Sequence, residues 1–464
     1  MPKIPCVLTI AGSDSGGGAG IQADLKTFAA LGVHGLSAVT AVTAQNTSEI
    51  RTIFPVPAEV IRQQIRAVTE DIGVDAVKTG MLPTAEAATI VASELRGLDV
   101  PIVVDPVMEA TTGSRLMGEG VLKILKEELI PRATLVTPNK FEAEALTGLK
   151  IGGIDDVERV AERLASLGAK AVLIKGGHIL TGGKAVDFLL VEGEGRRLES
   201  ERLDVKTLHG TGCVLSSAVA AQLAKGEPLV RAVELGKEFV SLSIRHGLRI
   251  GKGNGPTNPM AWLYNQAERY AVLENVSKAV TMLEESDAFH RLVPELQVNI
   301  GMSLPYPQDV SDIVGVPGRI VKIDTRVKAS SCPRFGGSRH VAEAILAANE
   351  LDPTIRAAMN IKHTAETLEA CRGVGLKVSS SDRREEPEEV KMTEGGTIPW
   401  GTRVAIRRLG STPDIIYHDG DWGKEPMIEI LGVDAVDVAG KALKVAGSLR
   451  ASVSFDYLGG VDSV

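Results

Sequence analysis

The sequence has few aromatic residues and few cysteines, and each shortage disfavours a class of function. Aromatic side chains make up 3% of the 464 residues, so stacking surfaces for nucleic-acid bases are not expected. The four cysteines, Cys6, Cys213, Cys332 and Cys371, form no Cys-x-x-Cys pair and no metal-ligand spacing, which disfavours a zinc site. A net charge of -8 also disfavours binding to a phosphate backbone. We therefore expect small-molecule partners and no nucleic acid.

Long apolar stretches are missing as well. No run of 18 or more apolar residues occurs, and residues 1–5 lack the apolar core of a signal peptide. We therefore expect a cytoplasmic protein with reduced thiols and no membrane partner. The chain is longer than the roughly 250–300 residues that one hydrophobic core usually serves, so we expect two domains.

Strand-like and helix-like patterns alternate through the first half of the chain. Apolar and β-branched runs at 6–11, 36–43, 74–79 and 101–104 are each followed by a turn or helical spacing. This alternation predicts an α/β domain with a mostly parallel sheet flanked by helices. Ligands bind beyond the carboxyl ends of such strands. The residues at these ends are Gln45, Met81, Asp105 and Val107.

A glycine-rich loop is predicted at residues 12–20, between the first strand and a helix over 21–31. It resembles a dinucleotide fingerprint only loosely and lacks the Gly-Lys-Ser/Thr of a P-loop. Asp24, near the start of that helix, is a carboxylate among small residues. It could bind a polar ring, or it could be a solvated helix residue.

Residues 208–213, Leu-His-Gly-Thr-Gly-Cys, read as a tight turn that leads directly into a helix. Gly210, Thr211 and Gly212 would let the backbone approach a ligand, and the free N–H groups of the helix start would form an anion hole. Cys213 lies where backbone dipoles favour a thiolate, and we expect its pKa below the free value of ~8.5. The alternative is an ordinary turn with a buried cysteine.

Two further strand ends carry polar groups. Asn139 and Glu142 have a spacing that suits a hydrated magnesium ion near nucleotide phosphates. The same spacing is typical of a capping box, which is the alternative. Lys175 ends another predicted strand and supplies a cation.

Taken together, these motifs resemble the hydroxymethylpyrimidine/phosphomethylpyrimidine kinases of the ribokinase superfamily. The resemblance covers roughly residues 1–260 and rests on six motifs in order. They are 11–27, 43–47, 78–81, 105–108, 137–142 and 209–213.

The resemblance implies roles for individual residues. Gln45 and Asp24 would hydrogen-bond an aminopyrimidine ring, and Cys213 would accept the proton of its hydroxymethyl group. The residues implied to pack around the ring are Gly12, Met81 and Val107. The implied ATP contacts are Asn139, Lys175 and Lys237, and the implied Mg²⁺ ligands are Asp105 and Glu142.

Residues 251–259 contain three glycines, two prolines and two asparagines, and they predict a domain boundary. We divide the chain into a kinase domain, 1–262, and a second α/β domain, 263–464. The stretch 333–340 places glycines, a hydroxyl, an arginine and a histidine before a predicted helix, which suits an anion. A generic helix start is the alternative.

The second half, over about 275–450, resembles the archaeal-type thiamine-phosphate synthase domain. Its catalytic arginine and histidine would fall on Arg319 and His340, with Arg339 as a competitor. Arginine suits a pyrophosphate because its planar fork binds oxygens in pairs.

The predicted protein is a thiamine biosynthesis enzyme that uses ATP and Mg²⁺. It would phosphorylate hydroxymethylpyrimidine twice and couple the pyrophosphate to hydroxyethylthiazole phosphate, and we expect a homodimer. One alternative is a pyridoxal kinase, which would share the fold. Another is that the second half is a ligand-sensing module.

Overall fold

The computed structural model describes residues 3–110, 113, 116–179, 183–203, 205–393, 395–420 and 425–449. Its contacts divide the chain into two units, Met1–Leu263 and Tyr264–Val464. The division falls inside helix Met260–Glu284, just beyond the glycine- and proline-rich stretch at 251–259. No helix among the described residues is both long enough and apolar enough to cross a membrane.

The first unit is built on a nine-stranded sheet. Its strands are β1 (Cys6–Asp14), β2 (His34–Gln45), β3 (Ile50–Pro55), β4 (Ala76–Thr79), β5 (Ile102–Val104), β6 (Leu135–Val136), β7 (Ala171–Ile174), β8 (Lys184–Val191) and β9 (Glu194–Glu201). The spatial order is β3-β2-β1-β4-β5-β6-β7-β8-β9. The pairs from β2 to β7 are parallel, while β3, β8 and β9 join antiparallel. The predicted mostly parallel sheet is therefore confirmed.

Helices cover both faces of this sheet. They are α1 (Gly20–Ala30), α2 (Ala58–Asp71), α3 (Ala85–Leu95), α4 (Val121–Ile124), α5 (Lys140–Thr147), α6 (Val157–Ala165), α7 (Thr211–Ala224) and α8 (Leu229–Arg245). In α6, the residues Val157, Val160 and Leu164 recur at helical spacing and are buried, which places one apolar stripe against the sheet. Helices α1, α7 and α8 pack on the opposite face, around Phe28 and Phe239.

One boundary prediction is wrong. Gly12, Ser13 and Asp14 were expected in the loop, but they belong to the end of β1. The strand continues because, after a register shift between Ala11 and Ser13, Ser13 and Asp14 pair with β2. Gly12 sits at that irregularity, and a Cβ there would lie 2.9 Å from the Met81 sulfur.

The second unit contains a seven-stranded sheet and a separate two-stranded ribbon. Its strands are β10 (Ile300–Ser303), β11 (Ile313–Gly315), β12 (Ile320–Ile323), β13 (Arg326–Ala329), β14 (Arg334–Phe335), β15 (Ala357–Lys362), β16 (Val378–Ser380), β17 (Ile415–His418) and β18 (Met427–Gly432). The large sheet has the order β14-β11-β10-β15-β18-β17-β16, and β12 and β13 form the ribbon. Apart from the parallel pair β16–β17, the pairs are antiparallel.

Helices also pack on both faces of the second sheet. They are α9 (Met260–Glu284), α10 (Arg339–Leu351), α11 (Ala365–Gly373), α12 (Glu388–Lys391), α13 (Thr397–Leu409) and α14 (Ala435–Leu449). Residues of α9 and α14 form one core around Phe289. Residues of α10 and α13 form a smaller core with Ala358, Ile416 and Leu431. The second α/β domain predicted from the sequence is therefore present.

Each unit has its own core, and this generates a matched pair of predictions. Phe28→Ala in the first unit and Phe289→Ala in the second each remove a fully buried ring, so each should destabilise its own unit by about 3–5 kcal/mol. Calorimetry on both variants checks this. Phe289→Ala should lower the unfolding temperature of the second unit and leave the transition of the first unit unchanged, and Phe28→Ala should do the reverse. Equal shifts of both transitions in both variants would contradict it.

Candidate active site

A cavity of about 1020 Å³ lies in the first unit at the carboxyl ends of the parallel strands. The structure brings almost all the predicted first-unit site residues to its wall. They are Gly12, Gln45, Met81, Asp105, Val107, Asn139, Glu142, Lys175, Gly210, Thr211, Gly212, Cys213 and Lys237. The cavity therefore unites motifs that are spread over more than 220 positions of the sequence.

The turn before α7 has the geometry of an anion site. Gly210 has φ 82°, and a Cβ there would lie 1.9 Å from the Gly18 carbonyl oxygen, so no other residue fits without moving the backbone. No side chain at Gly210 caps the helix. The Thr211 N–H donates to the Leu208 carbonyl oxygen at 3.3 Å, so the expected contribution of Thr211 to the anion hole is already engaged. The N–H groups of Gly210 and Gly212 are the ones that can meet a ligand in the cavity.

A half-buried lysine lies beside this helix start. The Lys175 ammonium is 3.0 Å from Asp105 and 3.7 Å from Glu142, and it lies 3.1 Å from where a Cβ of Gly212 would be. Although burial opposes it, the charges of Asp105 and Glu142 raise the pKa of Lys175. Burial raises the pKa of Glu142 against the charge of Lys175, and Asp105 adds to the rise.

Asn139 and Glu142 also form a capping box, which was the alternative interpretation to a magnesium site. The Glu142 N–H donates to Asn139 Oδ1 at 3.0 Å, and the Asn139 N–H donates to Glu142 Oε2 at 2.7 Å. Both residues nevertheless line the cavity. The cap thus fixes a buried carboxylate at the cavity wall, beside Lys175.

Lys237 lies on α8 and pairs with Asp187 of β8 at 2.7 Å. The other oxygen of Asp187 accepts the Gly176 N–H at 2.7 Å, immediately after Lys175. Lys237 and Asp187 therefore brace the turn that carries Lys175, and both line the cavity.

The expected ionisation of Cys213 is wrong. Burial raises the pKa of the Cys213 thiol to about 11, against the lowering effect of the Lys78 charge. The helix-start dipole is thus outweighed by the loss of solvent around the sulfur. Without a ligand, the thiol is neutral at physiological pH.

The assignment of Asp24 to a substrate ring is also wrong, and so is the solvated alternative. Asp24 is fully buried and does not line the cavity. Its carboxylate accepts hydrogen bonds from Thr9 at 2.6 Å and Ser217 at 2.7 Å, and it pairs with the Lys78 ammonium at 2.9 Å. Asp24 therefore ties the sheet to two helices beneath the cavity floor.

Sequence reasoning missed two residues, Asp14 and His209. Asp14 accepts the N–H groups of Gly16, Gly18 and Ala19 at 2.8–3.0 Å, and its carboxylate lies 3.0 Å from His209 Nε2. Although burial opposes it, the His209 contact and the backbone donors lower the pKa of Asp14. The sequence feature that could have indicated Asp14 is its place as the one carboxylate next to the glycines at 16–18.

His209 also meets the predicted pyrimidine contact. The Gln45 amide nitrogen lies 3.3 Å from His209 Nε2. Gln45 is the last residue of β2, and its side-chain oxygen lies 3.2 Å from the Thr43 hydroxyl. The Gln45 amide is therefore held in place at the cavity wall before any ligand binds.

A second cavity, of about 490 Å³, lies within the second unit. Its wall includes Arg319, Arg339 and His340, with Ser338 at the start of α10. Arg319 has φ 73° and its guanidinium donates to the Leu296 carbonyl, while Arg339 pairs with Glu343 at 2.7 Å. Cationic side chains and a helix start on one wall suit a phosphorylated ligand.

Comparison with known proteins assigns both halves. Residues 14–258 match the phosphomethylpyrimidine kinase family, and residues 275–444 match the thiamine-phosphate synthase ThiN family. The bifunctional thiamine biosynthesis protein ThiDN of Methanocaldococcus jannaschii is 34% identical over 440 residues, which is 94% of this chain and 97% of that protein. The hydroxymethylpyrimidine/phosphomethylpyrimidine kinase of Streptomyces coelicolor is 48% identical over 254 residues, 55% of this chain and 94% of its own length.

Solved structures resemble the first unit. A Bacillus subtilis pyridoxal kinase in complex with ADP aligns with a TM-score of 0.53 and 40% identity, covering 56% of this chain and 98% of that one. The Staphylococcus aureus pyridoxal kinase with AMP-PCP and pyridoxal aligns with a TM-score of 0.52 and 35% identity, covering 55% and 94%.

The buried pair beneath the cavity generates a stability prediction. Lys78→Met leaves the Asp24 carboxylate buried without its cation, so unfolding of the first unit should become easier by about 3–5 kcal/mol. The double variant Asp24→Leu with Lys78→Met should recover much of the loss. Denaturant titrations measure both.

The surface ion pair of Lys3 with Asp75 is the matched control, since Lys3 is exposed. Lys3→Met should leave the midpoint nearly unchanged. A double variant that is less stable than Lys78→Met alone would show that the pair itself stabilises the fold.

Proposed function

We propose which residues of this chain bind substrates and which catalyse each of the two reactions of a bifunctional enzyme. The chain belongs to the phosphomethylpyrimidine kinase family and carries a thiamine-phosphate synthase ThiN domain. It is a hydroxymethylpyrimidine and phosphomethylpyrimidine kinase that uses ATP, joined to a thiamine-phosphate synthase. The observation that carries this function is the whole-chain match to ThiDN. It favours the bifunctional enzyme over a pyridoxal kinase with a sensing module, although pyridoxal kinases share the fold of the first unit.

In the proposed kinase reaction, the hydroxymethyl oxygen attacks the γ-phosphorus of ATP as the bond to the β-phosphate oxygen breaks. ADP leaves, and the hydroxyl proton passes to the thiolate form of Cys213, whose fraction grows as the pH approaches its pKa of about 11. In the second round a phosphate oxygen of the monophosphate is the nucleophile. The N–H groups of Gly210 and Gly212 would face the negative charge of the transferring group, and the Thr211 N–H would join them only by leaving the Leu208 carbonyl oxygen. Lys175 would neutralise part of it.

Gln45 is the proposed hydrogen-bond partner of the aminopyrimidine, with Gly12, Met81 and Val107 packed around the ring. Two observations support this. All four line one cavity, and the absence of a side chain at Gly12 leaves room for the Met81 sulfur against the backbone. Asp24 has no part in this contact.

Asp105 and Glu142 are the proposed magnesium ligands. Their two carboxylates share one ammonium, that of Lys175, so the pocket keeps a surplus negative charge that suits a cation. Among the described residues no three His, Cys, Asp or Glu converge as a metal-binding group, and Mg²⁺ accepts such a sparse site because it keeps most of its waters. When bound, the ion would neutralise phosphate charge. Asn139, which lines the same cavity, would contact the nucleotide.

Arg319 and His340 are the proposed catalytic residues of the synthase. The carbon–oxygen bond between the pyrimidine methylene and pyrophosphate breaks, and the thiazole nitrogen forms the new carbon–nitrogen bond. Cationic groups that hold the departing pyrophosphate stabilise the charge that develops. The shared cavity of Arg319, Arg339 and His340 supports this assignment.

We further propose a cytoplasmic homodimer that binds no nucleic acid. Val42 and Phe54 are neighbours across β2 and β3 at the sheet edge and are 50% and 63% exposed. An apolar edge of this kind suits contact with a second copy. The net charge of -8 disfavours a nucleic-acid partner.

The Cys213 assignment predicts a pH signature. Cys213→Ala should lower kcat of the first phosphorylation by about 10²–10⁴-fold and that of the second by less, because an ionised phosphate oxygen needs no base. ATP binding should be retained, since the backbone anion hole is unchanged. Since burial raises the pKa of Cys213 to about 11, the kcat of the unmodified enzyme should rise between about pH 7 and pH 10. The variant should lose that slope.

A coupled ADP assay and calorimetric titration of an ATP analogue measure these quantities. Cys6→Ala, at a half-buried cysteine away from the cavity, is the control and should behave normally. Near-normal turnover of Cys213→Ala would remove Cys213 as the base.

The synthase assignment predicts separable losses. Arg319→Ala and His340→Ala should each abolish thiamine phosphate formation from the pyrimidine pyrophosphate, because each removes a polar side chain from the wall of the second cavity. Pyrimidine phosphorylation by the same chains should continue, since its residues lie in the first unit. Measuring both activities and the melting profile separates loss of chemistry from loss of folding. Normal coupling in both variants would contradict the assignment.

A further inference from the structure

A carboxylate lies in the middle of the second sheet, where an apolar side chain would be expected. Glu429 is on β18, an interior strand between β15 and β17, and is 9% exposed. Its neighbours across the strands are Asn360 on β15 and Ile416 on β17. Burying a carboxylate costs free energy unless it is paired. We therefore expect a hydrogen-bond donor or a cation beside the Glu429 carboxylate.

The partner is the histidine of the second cavity. Leu431, two residues along β18, packs in the core formed with α10, so alternation of side chains directs Glu429 to the same face. His340 is in the first turn of α10, and its Nε2 lies 3.5 Å from Glu429 Oε1. That separation is longer than the roughly 2.7–3.2 Å of an N–H···O hydrogen bond, and catalytic contacts of this kind commonly shorten when a ligand binds.

Other charged and titratable groups surround the pair. On α10 they are Arg339 and Glu343, which pair with each other. His418, at the end of β17, interacts electrostatically with Glu429, His340, His363 and Arg383, and burial lowers its pKa against the charge of Glu429. Of the groups named here, His340 is the one whose ring nitrogen forms an ion-pair contact with Glu429, at 3.5 Å.

We propose that Glu429 is a positioning residue of the synthase: it accepts the Nε2–H of His340 and thereby leaves Nδ1 as the ring atom that meets the substrate. The proposal rests on the assignment of His340 to the synthase reaction. Its physical basis is that a carboxylate bonded to one ring nitrogen fixes both the tautomer and the orientation of the imidazole. The half-exposed ring of His340 would otherwise rotate freely at the cavity wall.

The test replaces each partner in a way that preserves one feature. His340→Asn keeps a polar atom near the position of Nδ1, whereas His340→Gln places one near Nε2. Glu429→Gln keeps an acceptor, whereas Glu429→Leu removes it. Glu350→Gln, at an exposed carboxylate on α10 paired with Arg403, is the control. Coupling kcat and KM are measured on the full chain, with kinase activity as the internal reference.

Glu429→Leu should lower coupling kcat on the order of 10–100-fold with little change in KM, while Glu429→Gln retains most of it. His340→Asn should exceed His340→Gln in activity. Long-range ¹H–¹⁵N spectra should show His340 protonated at Nε2 in the unmodified chain and a mixture of tautomers in Glu429→Leu.

The outcomes distinguish failure of the proposed synthase site from failure of the positioning role of Glu429. If His340→Ala couples normally, the proposed synthase site itself fails. If His340→Ala is inactive but Glu429→Leu is normal, only the positioning role fails. If Glu429→Leu does not fold, the ranking of His340→Asn against His340→Gln decides, and a more active His340→Gln overturns the proposal.

Discussion

The buried ion pair between Asp24 and Lys78 is the interaction on which the first site depends. Asp24 lies on α1 and Lys78 on β4, and hydrogen bonds from Thr9 of β1 and Ser217 of α7 complete the network. Four elements therefore meet at one carboxylate. Ser217 is one helical turn after Cys213, so this network also fixes how far the start of α7 stands above the strand ends. An apolar cluster would fill the same space without fixing that height, because dispersion contacts have no preferred direction.

Local patterns were sufficient to predict the elements and the wall of the first cavity. The parallel sheet follows from alternating strands and helices, and strand-end residues such as Gln45, Asp105 and Lys175 meet because parallel strands end at one edge. The patterns failed where a side chain's environment comes from distant parts of the chain. The partners of Asp24 are at positions 9, 78 and 217. The burial that raises the pKa of Cys213 could not be deduced from its place in a helix.

The second unit shows the same limit more clearly. The sequence analysis predicted its α/β class and the helix after residue 340, but the order of strands in a mainly antiparallel sheet is set by long-range pairing, which periodicity does not report. Thus Arg319 and His340 were placed by resemblance, and the structure then showed that both border one cavity. Glu429 had no local signal, because a single glutamate in an apolar strand reads equally well as an exposed position.

The approach of Gly210 to Gly18 also constrains how the enzyme is made. These two residues touch through the backbone, yet 192 positions separate them, and β1, which leads into the Gly18 loop, pairs with strands on both sides. A ribosome releases the amino-terminal side of this contact long before the carboxyl-terminal side. One face of the early strands therefore stays exposed until α7 has been synthesised and packs on it. Synthesis of the remaining 201 residues of the second unit then gives the kinase half time to complete its site before the chain is released.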